Sequence, residues 1–417
     1  MKEKRKLNYA WVVFISCILL KIGLGGVVMC IAGNFVTPVV QEFGCTVSAF
    51  TMLVSVEAAA MAFMYTTAAR IIARSKVGKV MGIAALAQVI GIALMAAYRS
   101  VYLFYLSGAI IGIGVAFTGY VAIPVVINMW FKKKAGTVLG IIIAAENIAM
   151  ILYTKLSAVL INGFGWRGAY LILAAICMVV SVPCLFFFVK SPEEAGCKPY
   201  GSEDQIDQTH SETATQEWGV AKKQAVRMPL FYIAWFTCML FSVGCGVQQY
   251  IANFATMELN CSIDFGANAA MFMSCGCVIC SVCLGYVNDR FGVKAGLAWG
   301  FVFIALGYGL MITSIGSPIL CLPASFLVGL GGSMYTVQCP LLAKSVLGEK
   351  DYSSIWSLMM MGNSLIGALS FSSIGLFYDL GGSYMGAFLM AIILYGLALV
   401  IGSVALNMSS KLRSANA

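Results

Sequence analysis

Lys190-Ser-Pro-Glu-Glu-Ala-Gly-Cys-Lys-Pro-Tyr-Gly201 opens the longest polar stretch of this chain, which closes at Lys222-Lys-Gln-Ala-Val-Arg227. Seven acidic residues and His210 lie between those ends, among Pro, Gly, Ser and Thr. Working outward, both flanks are built of long apolar runs. A helix needs ~20 mostly apolar residues to cross a bilayer. Twelve segments qualify: 10–38, 48–70, 78–98, 101–130, 135–161 and 168–189 before the polar stretch, then 229–257, 265–286, 294–314, 317–344, 352–377 and 383–407 after it. The polar stretch is too short for a soluble domain and reads as a linker. The expected fold is an all-α membrane protein: twelve transmembrane helices in two six-helix pseudo-repeats around a central cavity. Its first half is 1–190, its linker 191–227 and its second half 228–417.

Composition agrees. Of 417 residues, 61% are apolar and 10% charged, against ~25% charged in a soluble domain. So little charge does not clothe a water-soluble surface. The 15 Cys sit mostly inside apolar runs and behave as small hydrophobes, so no disulfide framework is expected. His210 is the single His, which argues against zinc enzymes and His-based acid–base chemistry. The net charge of +9 would point to nucleic acid on a soluble domain. Here it follows membrane topology. With both termini inside, the cytoplasmic segments hold 22 of the 26 Lys and Arg, among them Lys2 to Lys6, Arg70 to Lys79, Lys132 to Lys134 and Lys222 to Arg227. Only Arg99 and Arg167 fall outside, and Lys21 and Lys155 lie within helices. That is the positive-inside pattern. The charged start resembles a signal peptide, but the apolar run after it is too long and lacks a cleavage site.

The two halves repeat one another. Cys17-Ile-Leu-Leu-Lys-Ile-Gly-Leu-Gly25 aligns with Cys238-Met-Leu-Phe-Ser-Val-Gly-Cys-Gly246, and Ala32-Gly-Asn-Phe35 with Ile251-Ala-Asn-Phe254. Gly112-Ile-Gly114 followed by Pro124 matches Gly329-Leu-Gly331 followed by Pro340. A shared offset near 220 residues marks a duplication, and six-helix repeats are the plan of an alternating-access transporter.

Gly285-Tyr-Val-Asn-Asp289-Arg290-Phe-Gly292-Val-Lys294 resembles the GxxxDRxGxK loop motif of the major facilitator superfamily, which makes Asp289 and Arg290 candidate gating residues or, on the plainer reading, a turn anchor. The first-half counterpart keeps Arg74, Gly78 and Lys79 without an Asp. Three further stretches, Trp130 to Gly140, Gly165 to Tyr170 and Ser191 to Gly201, are similar to the oxalate/formate antiporter and monocarboxylate porter group. The resemblance implies transport of an organic anion, often a monocarboxylate. The Arg on helix 8 and Lys on helix 11 that this group uses for carboxylate are missing, which argues against oxalate.

An ionisable group inside a bilayer costs ~2.5–3.5 kcal/mol on insertion scales and is a functional candidate by default. Lys21, Glu57 and Glu146 each lie near the middle of their spans, on helices that border the cavity in the resembled fold. Lys21 would be the counter-charge of an anionic substrate. Glu57 or Glu146 would carry a proton, because burial disfavours a charged carboxylate. The competing reading is an ion pair of Lys21 with Glu57 or Glu146 that only joins helices. Lys155 lies close enough to a helix end to reach the surface. Tyr120, Asn147, Gln248, Gln249, Asn253, Gln338 and Asn363 complete the candidate substrate-binding set by hydrogen bonding, or else join helices. Gly108 and Gly112 read as a close helix contact, Cys275 to Cys283 as packing rather than metal ligands, and Met359 to Met361 as apolar lining or core.

The expected function is a secondary active transporter of a small organic anion, by proton coupling or exchange. It is read as a monomer in the cell (inner) membrane, with no cofactor, metal or nucleic-acid partner and no catalytic residues. The alternatives are an exporter of amphipathic compounds and a transporter-like membrane sensor.

Overall fold

The structure, a computed structural model, describes residues 9–30, 34–200, 219–381 and 383–416. Lys2 to Lys6, His210 and the middle of the linker lie outside the described residues. The chain divides into two compact units, Met1–Thr215 and Gln216–Ala417.

Ten helical segments among the described residues are long and apolar enough to cross a membrane. One of them, Ala135–Phe188, has 54 residues and turns at Gly165 (φ 69°, ψ 168°), so it supplies two spans. The 30-residue helix Tyr352–Gly381 brings the total to twelve. In the first unit we label them α1 (Tyr9–Val28), α2 (Val47–Arg74), α3 (Val77–Met95), α4 (Val101–Trp130), α5 (135–164) and α6 (166–188). In the second they are α7 (Pro229–Met257), α8 (Ile263–Phe291), α9 (Val293–Thr313), α10 (Pro318–Leu347), α11 (Tyr352–Gly381) and α12 (Met385–Asn416). Large apolar side chains face outward on many of them: Val179 is 74% exposed and Phe63 68%. A row of such residues is expensive in water and at home in hydrocarbon.

The two units pack alike, and glycine sets the distances. A Cβ on Gly112 of α4 would lie 2.2 Å from the Glu57 carbonyl of α2, and one on Gly329 of α10 would lie 2.1 Å from the Met273 carbonyl of α8. Gly114 takes the Gln88 side chain of α3 at 2.3 Å, and Gly331 the Ile304 side chain of α9 at 2.5 Å. Gly108 sits on the Leu53 carbonyl in the same crossing, 2.7 Å from a notional Cβ. The repeated glycines are where backbones touch, as small-residue packing in membranes requires.

Three expected spans differ in detail. The run 10–38 is not one helix: α1 gives way, and a separate helix Val36–Phe43 follows, ended by Gly44 at φ 60°. The run 101–130 is interrupted at Gly119–Val121. The run 317–344 is interrupted between Leu330 and Gln338. Proline explains the last two. Pro124 and Pro340 have no N–H to return to the carbonyl four residues back, and their rings crowd it. The chain between α5 and α6, expected as a loop, is a turn at Gly165 alone.

Candidate functional site

Lys21 begins a single π-helical turn, Lys21–Gly25, within α1, closed by the Gly26 N–H donating to the Lys21 carbonyl. Such wide turns in membrane and soluble helices cluster at functional positions. Ser181 of α6 faces this turn: its hydroxyl accepts from the Leu24 N–H (3.2 Å) and donates to the Leu19 carbonyl (3.3 Å). The approach needs glycine. A Cβ on Gly23 would lie 2.1 Å from Ser181 Oγ, one on Gly25 2.7 Å from Glu146 Oε1, and one on Gly26 2.6 Å from the Ala149 Cβ. The Gly-Leu-Gly-Gly sequence therefore presses α1 onto α5 and α6 where the charges are.

Lys21 Nζ donates to Glu146 Oε1 at 2.7 Å. Both residues are buried, 4% and 6% exposed. The ammonium also lies 5.0 Å from the centre of the Tyr120 ring, whose negative face attracts it. Tyr120 reaches this place because α4 breaks there, four residues before Pro124. Gln88 of α3 donates to the Thr118 hydroxyl (2.8 Å), which donates to the Gly114 carbonyl (3.1 Å). These five side chains, with Leu20, Leu24 and Val28 among their apolar neighbours, line a cavity of about 20 Å³. That is room for about one water molecule.

The structure thus brings Lys21, Tyr120 and Glu146 together. Asn147 is next along α5 and half-buried. Glu57 is half-buried on α2 and makes no hydrogen bond or ion pair among the described residues. In the second unit, Gln248 is buried in the 3₁₀ turn Val247–Tyr250, and its Nε2 has no hydrogen-bond partner among the described residues. Asn363 is buried on α11 with neither side-chain amide atom partnered among those residues. Gln249 and Asn253 are exposed. Lys155 is exposed, in keeping with its place near a helix end.

Gln338 is otherwise engaged. Its Oε1 accepts from Asn288 Nδ2 (2.7 Å) and its Nε2 donates to the Val293 carbonyl (2.8 Å). Both ends of its amide hold the α8–α9 turn to α10. Asp289 and Arg290 are exposed at the end of α8, where Arg290 donates to the Tyr286 hydroxyl at 2.6 Å. The buried polar residue of the loop motif is Asn288, which the sequence reading passed over.

It also passed over Gln88 and Thr118, and a clamp around Glu42. There Trp166 Nε1 donates to Glu42 Oε2 (2.6 Å), the Arg167 guanidinium pairs with Glu42 Oε1, and Arg167 donates to the Tyr98 carbonyl (3.1 Å). Glu42 lies outside the spans, and these bonds hold its carboxyl below the usual carboxylate range. Isolated polar residues in apolar runs are the available signal for Gln88 and Thr118. Nothing in the sequence pairs them.

The two units differ in chemistry at matching places. Lys21 aligns with Ser242, whose hydroxyl donates to the Asn363 backbone carbonyl at 3.3 Å. The α1–α5 contact is ionic and its α7–α11 counterpart neutral. Glu57 and Gln88 of the first unit stand where the second has Met273 and Ile304.

Comparison with known proteins gives the family. The Major Facilitator Superfamily pattern matches residues 17–282 and 258–416. The chain is 23% identical over 256 residues to the putative glycerol-3-phosphate transporter 1 of Arabidopsis thaliana, covering 56% of this chain and 48%, about half, of that protein. It is 23% identical over 337 residues to the uncharacterized MFS-type transporter YcxA of Bacillus subtilis (strain 168), covering 78% of this chain and 77% of that one. Its fold is similar to that of the proton:xylose symporter bound to 6-bromo-6-deoxy-D-glucose, with a TM-score of 0.73, 14% identity, and coverage of 97% and 95% of the two chains. With twelve spans, a duplicated architecture and this match along nearly its whole length, the chain belongs to the Major Facilitator Superfamily of membrane transporters.

Proposed function

We propose that this protein moves a small organic anion of the monocarboxylate type across the membrane by alternating access, coupled to a proton or to a counter-anion. The Lys21–Glu146 pair carries this reading. A buried ion pair is a poor way to join helices, because desolvation offsets most of its attraction. Its value lies in exchange. A substrate carboxylate that takes Lys21 leaves Glu146 without a partner, and a proton on Glu146 then restores neutrality. One anion and one proton move together, or one anion replaces another on Lys21. Tyr120 and Asn147 line the approach on the first-half side. Gln248 and Asn363 offer donors and acceptors without a partner among the described residues of the second half. Glu57 is a second proton carrier in this scheme, and Asp289 and Arg290 act on the conformational equilibrium.

Several observations support the anion class: Lys21, the one buried cation among the described residues, at an irregular turn, the similarity of three stretches to monocarboxylate porters, and a relative named for glycerol-3-phosphate transport, itself an organic anion. We take residues 1–190 and 228–417 as the two moving halves joined by 191–227. We place the protein as a monomer in the cell membrane with both termini cytoplasmic.

The test is a panel of carboxylates assayed by thermal shift and by uptake into proteoliposomes. Lys21→Gln is expected to abolish the ligand-induced shift, and Lys21→Arg to keep part of it. Glu146→Gln is expected to flatten the pH dependence of uptake while counterflow survives. If a Lys21→Gln, Glu146→Gln double variant transports normally, the pair only joins helices and the assignment falls.

A further inference from the structure

Lys76, Lys79 and Lys190 surround a cleft of about 330 Å³ whose remaining walls are Gly78, Phe186, Val189 and Glu194. The cleft lies at one end of α3 and α6. Gly78 and Gly82 create it by letting the helices touch: a Cβ on Gly78 would lie 2.0 Å from the Val189 carbonyl, and one on Gly82 2.7 Å from the Phe186 ring. That contact brings Lys190, just past the end of α6, beside the first turn of α3. All three lysines are exposed, and their ammonium groups form no ion pair or hydrogen bond among the described residues. The α3 start adds N–H groups with no helical acceptor. Glu194 is the single acid of the wall, and its carboxylate already accepts the Ser191 N–H in a capping box.

The second-half repeat differs in charge at the matching loop. The second-half loop carries Asp289 beside Arg290, and Lys294 bonds to Asn407. The first-half loop keeps Arg74, Gly78 and Lys79 and has no Asp. Three lysines against one carboxylate already bonded to its own backbone leave the cleft cationic among the described residues, the charge an anionic ligand needs. Apolar side chains run away from it into the membrane. Phe187 is 70% and Phe188 48% exposed at the end of α6. Ile83 and Ile90, on the Lys79 face of α3, are 62% and 48% exposed.

We propose that the Lys76–Lys79–Lys190 cleft binds the phosphate headgroup of an anionic phospholipid, whose acyl chains lie along Ile83 and Phe187. A volume of about 330 Å³ fits a headgroup, and juxtamembrane lysines are the side chains that hold anionic lipid. The exposed apolar rows favour lipid over a free anion, which has nothing to place on them. The proposal rests on the membrane fold and is independent of the substrate assigned above.

The test uses the full-length protein in detergent, titrated with phosphatidylglycerol, phosphatidylcholine or inorganic phosphate, with native mass spectrometry for retained lipid and thermal unfolding for its effect. Phosphatidylglycerol is expected to remain bound and to raise the unfolding temperature saturably, while phosphatidylcholine does neither. A Lys76→Gln, Lys79→Gln, Lys190→Gln variant should need about tenfold more phosphatidylglycerol. A charge-matched control, Lys223→Gln, Arg227→Gln, Lys350→Gln, should behave as wild type. Lys79→Glu, a single exposed change that leaves the core intact, should weaken the same titration. Wild-type titration of Lys79→Glu, equal loss in the control, or the same protection from inorganic phosphate at equal concentration would each overturn the proposal.

Discussion

Two residues show how burial and partners decide what a polar group does here. Gln338 has the composition of a ligand-binding residue, but both of its amide ends are bonded to the α8–α9 turn. Gln338→Leu leaves the Asn288 amide and the Val293 carbonyl without it. The expected cost is about 1–3 kcal/mol of stability, with substrate affinity unchanged in protein that folds; a selective loss of affinity in a binding titration would return Gln338 to the substrate site. Glu42 behaves differently because it is ionised and paired. Its carboxyl is held below the ordinary value of 4.5 by hydrogen bonds from Arg167 and Trp166. A lowered folded-state value means that the clamp's stabilisation is complete above the ordinary range and fades as pH falls through the lowered value. Glu42→Gln is therefore expected to lower the unfolding temperature at neutral pH, with the gap to wild type closing on acidification below 4.5. A gap that stays constant with pH would show that the pairing contributes nothing. Screening limits its size, since both partners are two-fifths exposed.

At the scale of elements, the irregular turns matter more than the regular helices. The π turn sets Lys21, the break before Pro124 sets Tyr120, and the 3₁₀ turn of α7 sets Gln248. Each frees backbone groups and re-aims a side chain that a straight helix would carry elsewhere. Pro124→Ala gives Tyr120 back its helical acceptor role. It is expected to leave folding intact or improved, while transport falls because the ring leaves Lys21. Uptake kinetics set beside thermal unfolding would check this; unchanged transport would mean that the break serves packing alone. The three stretches Trp130 to Gly140, Gly165 to Tyr170 and Ser191 to Gly201 also gain a physical meaning. Trp130 Nε1 donates to the Lys190 carbonyl (2.8 Å), and the Tyr200 N–H donates to the Trp130 carbonyl (2.8 Å). The first and third stretches thus form one tie between the α4–α5 junction and the chain leaving α6. The second, Gly165 to Tyr170, turns α5 into α6 and supplies Trp166 and Arg167 to Glu42.

Across the whole molecule, one helical skeleton is used twice with different polarity. The glycines at 112, 114, 329 and 331 do the same work in each unit, but the buried Lys21–Glu146 ion pair belongs to the first. Each unit has its own core and its own packing partners, as expected of a duplicated six-helix body. Topology is the prediction at this scale. Tags at Met1, within 200–215 and at Ala417 are each expected to report the cytoplasm, because Lys and Arg are retained on that side. An external signal from the middle tag would remove the even number of spans in the first half. Length and hydropathy alone determined the twelve spans, since a bilayer accepts a continuous apolar helix and little else. The sequence also determined the duplication, through glycines and prolines whose spacing is a covalent fact, and it marked Lys21, Glu57 and Glu146 as costly. Which carboxylate neutralises Lys21 was decided by tertiary structure. Glu57 and Glu146 are equivalent along the chain, and only the glycine contact of α1 with α5 places one of them 2.7 Å away. The same holds for Gln338 and Asn288, and for Glu42 and Arg167. A hydrogen bond or ion pair depends on distance in space, which hydropathy and spacing along a helix do not encode.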